Sequence, residues 1–429
     1  MPTLPATSVD FFLAGLESFM VRSGQGEHWA VTALWLAGRP EAEMLARGWR
    51  QVHERHPMLG ARLRRRWRGW RMVWESAGPL VAPPVLWHTC RPDEDEGDLI
   101  RERLGGMAGD SRIRSPLWLE VFALGGTGRH LVLLTWRHAF LDGTGVNLLL
   151  EKLAAGSCEE GPPVLPEPPP TESPGSLFRK AWPLIERLQA TTNVGCLSAW
   201  ARGMPRQGRA EHRLIRLSPA QSGLATAKLR QLCGEFFQMP FYAAVAARAM
   251  HRLHELRGWN SPEMHLQLPT QTRGRSRHLI FGNHMGTLPL FLAADKLGTL
   301  PEAVAHVQQA YKDALKAAMP QTSEAMMGLA SQLPVRAFIP TVRLTNCGQI
   351  CSLFHSHTGT FLPGREDFSG AAVDNVCTIP SVCTPPGLGL FFSDFGGKIT
   401  ATLAWRATGL TVEEVTALET QILGDLTHG

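Results

Sequence analysis

Two apolar rhythms alternate along the chain, one of helical period and one of extended runs. Phe11, Phe12, Gly15, Phe19 and Met20 fall at helical spacing and predict a helix over 8–22 with Ser8 as its N-cap. The run from Trp29 to Gly38 predicts a strand. Met44, Leu45, Trp49 and Val52 then predict a helix over 40–55, with Pro40 at its first position and Pro57 forbidding its continuation. Residues 111–124 and the stretch LVLLTW predict two strands joined by the glycine-rich turn Gly125–Gly128, a hairpin. Beyond residue 155 the pattern breaks. Residues 156–175 are proline-rich and predict a semi-rigid linker rather than a regular element.

After that linker the rhythm resumes. Helices are expected over 176–189, 219–232, 240–257 and 301–318, and strands at His212–Leu217, at MHLQLPT and at TVRLTNCG. A long His- and Pro-rich stretch after residue 348 predicts irregular structure. The stretch from Gly387 to Arg406 predicts a hairpin turning at Gly396 and Gly397, and a last helix should follow Thr411. No repeat of 20 to 50 residues is visible.

Length fits two units of roughly 200 residues each. The chain has 429 residues, with 44% hydrophobic and 19% charged positions, the composition of a folded globular protein. The net charge of +5 is mild. It gives no support for a nucleic-acid partner and is compatible with a phosphate-bearing co-substrate or an acidic protein partner. Eight scattered cysteines, the lack of a basic leader and the lack of a membrane-length apolar run lead to an expectation of a reduced, cytoplasmic protein without a transmembrane segment. Peripheral contact with a membrane is compatible with it.

Candidate chemistry concentrates at Leu131–Leu153, read as a buried strand, a loop carrying His138, Asp142 and Gly143, and an amphipathic helix opened by Thr144. A histidine at a strand end, followed closely by a carboxylate and a glycine, is suited to display a general base. Elsewhere the signals are weaker. The arginines at 62, 64, 65, 66, 68 and 71, interleaved with Trp67, Trp70 and Trp74, read either as an anion-binding patch or as the solvated face of an edge hairpin. The acidic run 93–98 reads as a surface loop. His355 and His357 form an HxH pair with no third ligand at recognisable spacing, so no metal site is expected. Cys347, Cys351, Cys377 and Cys383 read as buried small apolar residues. The absence of GxSxG gives no support for a serine hydrolase.

RHAFLDG resembles the HHxxxDG motif of the chloramphenicol acetyltransferase-like superfamily, which includes nonribosomal peptide synthetase condensation domains, wax ester synthases and BAHD acyltransferases. Companion segments follow in the family's order. HERHPMLGARL resembles its early helix end, and SPLWLEVF is similar to the PLW segment of the wax ester synthase branch. FGNHMGTLPL resembles the second-lobe glycine-to-LP segment, LTNCG the SNxG strand end, and LGLFFSDFGGKITATLAWR the closing hairpin. The resemblance spans about residues 8–425. It departs from the family at Arg137, where the first histidine of the doublet belongs, at Gly286 in the LP segment, and at QMPFY near Gln238.

The resemblance implies an α/β fold of mixed sheets, with two lobes in a V around an active-site tunnel. Residues 1–155 would form the first lobe, 156–180 the linker and 181–429 the second. It implies a free-standing acyltransferase that moves an acyl group from acyl-CoA or an acyl carrier protein to a hydroxyl or amine. The pantetheine thioester would be a co-substrate, with no permanently bound cofactor. His138 would be the base, Asp142 a structural residue paired with Arg273 or, failing that, Arg275, and Gly143 the residue that leaves room for substrate. Thr345 and Asn346 are candidate oxyanion donors, and Asn283 and His284 candidate tunnel-lining residues. The alternative is a catalytically silent module that docks a carrier protein or partner enzyme. The retained His138, Asp142 and Gly143 favour the enzyme.

Overall fold

The computed structural model describes residues 3–65, 72–76, 80–106, 115–156, 172–194, 198–201, 203–235, 237–273, 279–344 and 348–428. The first part of the chain runs β1 (Thr3–Pro5), α1 (Ser8–Arg22), β2 (Trp29–Leu36), α2 (Ala42–Arg55), β3 (Ala61–Arg65), β4 (Met72–Ser76), β5 (Leu86–Thr89), α3 (Glu96–Leu104), β6 (Leu117–Ala123), β7 (His130–Arg137) and α4 (Gly143–Ala155). The rest runs α5 (Pro174–Val194), β8 (Ala210–Arg216), α6 (Pro219–Cys233), α7 (Met239–Leu256), β9 (Glu263–Gln271), β10 (Met285–Ala293), α8 (Leu300–Lys316), α9 (Met319–Ala330) and α10 (Val335–Leu344). It ends with β11 (Leu353–Thr360), β12 (Asp367–Phe368), β13 (Ala371–Pro380), β14 (Leu388–Phe395), β15 (Lys398–Arg406) and α11 (Val412–Thr427).

Two six-stranded sheets carry the two lobes, in the orders β12-β13-β2-β7-β6-β5 and β10-β9-β11-β14-β15-β8. Both are mixed. β5 pairs parallel to β6, and β11 parallel to β9 and β14, while the remaining pairs are antiparallel. Every residue of β2 is buried, because its two faces meet different apolar layers: Ala30, Leu34 and Leu36 on one side, Val31, Ala33 and Trp35 on the other. The first sheet is completed from far along the chain. Asp367–Pro380, within the expected second lobe of 181–429, pairs with β2 and not with the second sheet.

The β6–β7 hairpin turns where Gly126 and Gly128 take positive φ, and the β14–β15 hairpin turns at Gly396 and Gly397, as their sequences predict. Other expectations shift. Thr7, not Ser8, caps α1, because its hydroxyl accepts from Asp10 N while Asp10 answers to Thr7 N, a capping box. α2 begins after Pro40, at Ala42. The acidic run 93–98 is a loop only through Asp95, which accepts from Asp98 N and caps α3, so that Glu96–Asp98 form the first turn of that helix.

The strand expected at TVRLTNCG is helical through Leu344. Phe338 of α10 is fully buried edge-on against Phe11 and Phe12 of α1, so packing against that helix overrides the β-branched composition. α9 was not anticipated. The stretch expected to be irregular after 348 holds β11, β12 and β13; in β13, Val376–Pro380 is buried on both faces, which hides the alternation that would mark a strand. Of the arginine run, Arg62 and Arg64 are exposed on β3, across from Glu75 and Val73, whereas 66–71 lie outside the described residues. No helix is long and apolar enough to cross a membrane among the described residues.

Burial leaves several histidines uncharged. His212, His254 and His355 are pushed down to about 4 and His265 to about 3, in each case chiefly by desolvation. The unfolded chain takes up these protons near pH 6.5 while the folded chain does not, so stability is full above that value and lost as pH falls through the folded values. Thermal denaturation over about pH 7.5 to 4.5 should show the melting temperature falling from near pH 6.5 downward, well above the range in which ordinary carboxylates titrate.

Candidate active site

The β7 strand ends at Arg137, and the chain turns tightly, Phe140 N donating to Arg137 O at 3.0 Å, before Asp142 opens α4. Asp142, not Thr144, is the helix cap. Its Oδ1 accepts from Gly145 N at 2.7 Å and from Arg273 Nη1 and Nη2 at 3.0 and 2.9 Å, and its Oδ2 from His284 N at 2.9 Å. The Asp142 and Arg273 side chains are 4% and 2% exposed, so this ion pair joins the two parts of the chain out of contact with water. Arg275 lies outside the described residues.

Two glycines at this helix start face close neighbours, one tolerably and one not. A Cβ on Gly143 would sit 3.3 Å from Thr358 Cγ2, and one on Gly145 would collide with the Ile280 carbonyl oxygen and approach Arg273 Nη2 at 3.3 Å. Gly145 therefore lets α4 press against the Ile280 segment. Sequence reasoning singled out Gly143 and passed over Gly145, although GTG was in view.

Asn283 and His284 belong to the same seam. Asn283 donates from N and Nδ2 to Asp10 Oδ1 at 3.1 and 3.0 Å, and from Nδ2 to Ala139 O at 3.0 Å. Asp10 Oδ2 also accepts from Trp74 Nε1. Burial raises the Asp10 carboxyl above its usual range, with these hydrogen bonds working against it. The His284 ring bonds to Phe281 O at 3.0 Å. Both residues thus fasten the 281–284 loop to α1 and α4, and Gly282 N donates to Phe140 O at 2.8 Å beside a parallel bridge from Leu141 to Gly282. Thr345 and Asn346 lie outside the described residues.

His138 stands in the turn between β7 and α4. Its backbone N donates to His28 O at 3.1 Å, and its ring stacks on the His28 ring with centroids 5.0 Å apart and planes 27° apart. Trp136 closes another side at 5.2 Å. The Nδ1 atom is enclosed without a hydrogen bond of ordinary geometry. Nε2 has no protein partner among the described residues, and the residue keeps intermediate accessibility although its surroundings are dense. Burial holds the imidazole below its ordinary value. The carbonyls of His138 and Leu141 and the Asp142 carboxylate favour the charged form and offset that only in part.

Arg137, standing where the family has its first histidine, turns away from this ring. It reaches Glu17 at 2.8 Å and Glu27 at 3.7 Å and lies over Trp29. His28, just ahead of β2, supplies the second imidazole instead. It is 6% exposed and held well below its ordinary pKa by burial first, then by His138 and Arg406. Nothing in the sequence near position 28 signals this.

The remaining candidates fall elsewhere. The His357 ring stacks on Tyr242 at 4.5 Å and His355 Nδ1 contacts Leu390 O at 3.1 Å, and no metal-binding group is present among the described residues. Cys351, Cys377 and Cys383 are buried and form no disulfide among the described residues, and Cys347 lies outside them.

Removing one partner of a buried ion pair leaves the other uncompensated. Asp142→Ala should cost ~3–5 kcal/mol, read as a drop in melting temperature or chemical midpoint, and the double variant Asp142→Ala/Arg273→Met should recover part of it. Gly145→Ala should destabilise as well, through the Ile280 carbonyl, with the ion pair chemically intact.

Neither a family model nor a curated protein sequence matches the chain. Solved structures do, over nearly its whole length. The trichothecene 15-O-acetyltransferase TRI3 from Fusarium sporotrichioides superposes with a TM-score of 0.71 at 13% identity, covering 99% of this chain and 96% of that one. The first condensation domain of the calcium-dependent antibiotic synthetase gives 0.66 at 17% identity, with 99% and 96% covered. Polyketide synthase associated protein 5 from Mycobacterium tuberculosis gives 0.63 at 15%, with 100% and 98% covered. The chain therefore has the two-lobed chloramphenicol acetyltransferase-like fold that condensation domains and this acetyltransferase share.

Proposed function

We propose that the protein is an acyltransferase in which His138 removes a proton from a hydroxyl or amine as that group attacks a pantetheine thioester. The observation that carries this reading is the His138 ring itself. It is held in place by a stacked neighbour and a backbone hydrogen bond, is depressed in pKa and so neutral at physiological pH, and has Nε2 uncommitted to any described protein group. Such an imidazole is a base ready to accept a proton. The new bond forms between the acceptor O or N and the thioester carbonyl carbon. As the tetrahedral intermediate collapses, the C–S bond breaks and the imidazolium returns its proton to the departing thiolate, leaving an ester or amide and a free thiol.

Asp142 and Arg273 act on this reaction at a distance. By capping α4 and tying it to the second lobe, they fix the turn from which His138 projects. Arg137, neutralised by Glu17, leaves the base free of a cationic neighbour on that side. The donor, coenzyme A or an acyl carrier protein, and the acceptor are to be found by measuring thiol release from a panel of acyl-CoAs with alcohols and amines. The same assay would then be run with acyl carrier proteins.

His138→Ala should lower transfer by ~10²–10⁴-fold with melting essentially unchanged, and a fully active variant would refute the assignment. His28→Ala should admit water to the His138 ring and relieve the desolvation that depresses its pKa. The acid limb of kcat/KM against pH would then move upward toward 6.5, so activity at mildly acidic pH falls more than at pH 8. His28→Phe, which keeps a stacked ring, should leave that limb near its original place.

A further inference from the structure

The second sheet ends at β8, whose outer edge pairs with no strand among the described residues. Which of its main-chain groups face outward follows from the register. Leu217 N donates to Ile399 O at 3.0 Å and Ala407 N to Arg209 O at 3.0 Å, so the odd-numbered residues are the ones that exchange hydrogen bonds with β15. The N–H and C=O groups of His212, Leu214 and Arg216 therefore point away from the sheet, and none has a partner among the described residues. Strand edges of this kind are ordinarily covered, bulged or kept very short.

This edge borders open space instead. A cleft of about 910 Å³ is lined by every residue from Glu211 to Arg216, with Ile100 and Arg101 of α3 and Val412 and Val415 of α11 as its walls. Successive side chains of a strand point to opposite faces, so a cleft that meets consecutive residues runs along the edge and not over one face. Its volume lies at the upper end of the range for ligand pockets, roughly 300–1,000 Å³. The groups it presents are the alternating donors and acceptors of a β ladder, spaced for another main chain.

Charge narrows the choice of that chain. The Glu211 side chain is 13% exposed and is already met by Arg209 and, at 3.8 Å, by Arg101. Arg213 and Arg216 have side chains 49% and 41% exposed and stand 3.6 and 3.7 Å from Glu419 and Glu96, beyond hydrogen-bond length. Burial pushes His212 down to about 4 and keeps it neutral, so the two guanidinium groups set the sign of the edge.

We propose that β8 takes up an extended acidic peptide of a partner protein as an added strand, its main chain pairing with His212, Leu214 and Arg216 and its carboxylates meeting Arg213 and Arg216. Opposite charges across a strand pair are favourable and like charges are not. The arginines that admit an acidic strand thus turn away a basic one, and a second copy of β8 with it. This surface stands independently of the acyl-transfer reading above.

The test uses the whole chain and three fluorescein-labelled hexapeptides, followed by fluorescence anisotropy. One alternates glutamate and valine, one is the same peptide fully N-methylated so that its main chain cannot donate, and one alternates lysine and valine. The first should bind saturably, with a Kd roughly 10-fold or more below those of the other two. Leu214→Pro removes an outward N–H and leaves the bonds to β15 in place, a change that an edge strand tolerates, and it should abolish the preference for the first peptide over its N-methylated form. Where Leu214→Pro fails to fold, Arg213→Glu/Arg216→Glu should reverse the order of the acidic and basic peptides.

Equal affinity for the N-methylated peptide, or no saturable binding of the acidic one, overturns the proposal. Sedimentation that shows a concentration-dependent dimer abolished by Leu214→Pro overturns it as well, because the edge then belongs to a second copy of this chain.

Discussion

The buried pair of Asp142 and Arg273 is the contact on which the arrangement of this molecule turns. One carboxylate caps α4, receives a guanidinium from the loop after β9 and accepts the amide of His284. Each of those donors comes from a different place in the chain, so helix start, loop and lobe contact form together. With its side chains 4% and 2% exposed, the pair is unscreened by solvent. The neighbouring Asp10 repeats the device on α1, gathering Asn283 and Trp74. Two acidic side chains of the first lobe thus grip consecutive residues of the second.

That seam explains why the histidine at its edge suits acid–base work. The turn from β7 into α4 is held from behind by Asp142 and from beside by His28, leaving the His138 ring few ways to move. Desolvation, which would be a liability for a structural ion, here keeps an imidazole neutral.

Much of this could be read from the sequence because the relevant signals are local. Hairpins announced themselves through glycine pairs at Gly126/Gly128 and Gly396/Gly397, and helix starts through Ser218 and Thr411 with their capping partners. His138, Asp142 and Gly143 stood out because six residues hold a motif, and Arg273 followed from resemblance to a known pattern. The misreadings have physical causes. α10 is helical because Phe338 packs against α1, and β13 is a strand whose second half is buried on both faces, which erases alternation there.

Tertiary structure alone decided the rest. His28 is 110 positions from His138 in the chain, and nothing local marks it, since its role comes from a ring placed across a strand pair. Gly145 is obligatory only because the Ile280 carbonyl arrives there, and the direction of Arg137 was settled by Glu17 on a helix far upstream. Arg406 reads in sequence as the polar end of a hairpin strand; only the folded chain shows that it is enclosed and held by the carbonyls of Val382 and Gly208. Periodicity and motif depend on neighbours along the chain and are fixed by the amino-acid order. Burial and the pairing of charges depend on neighbours in space, which become defined only when the two lobes meet.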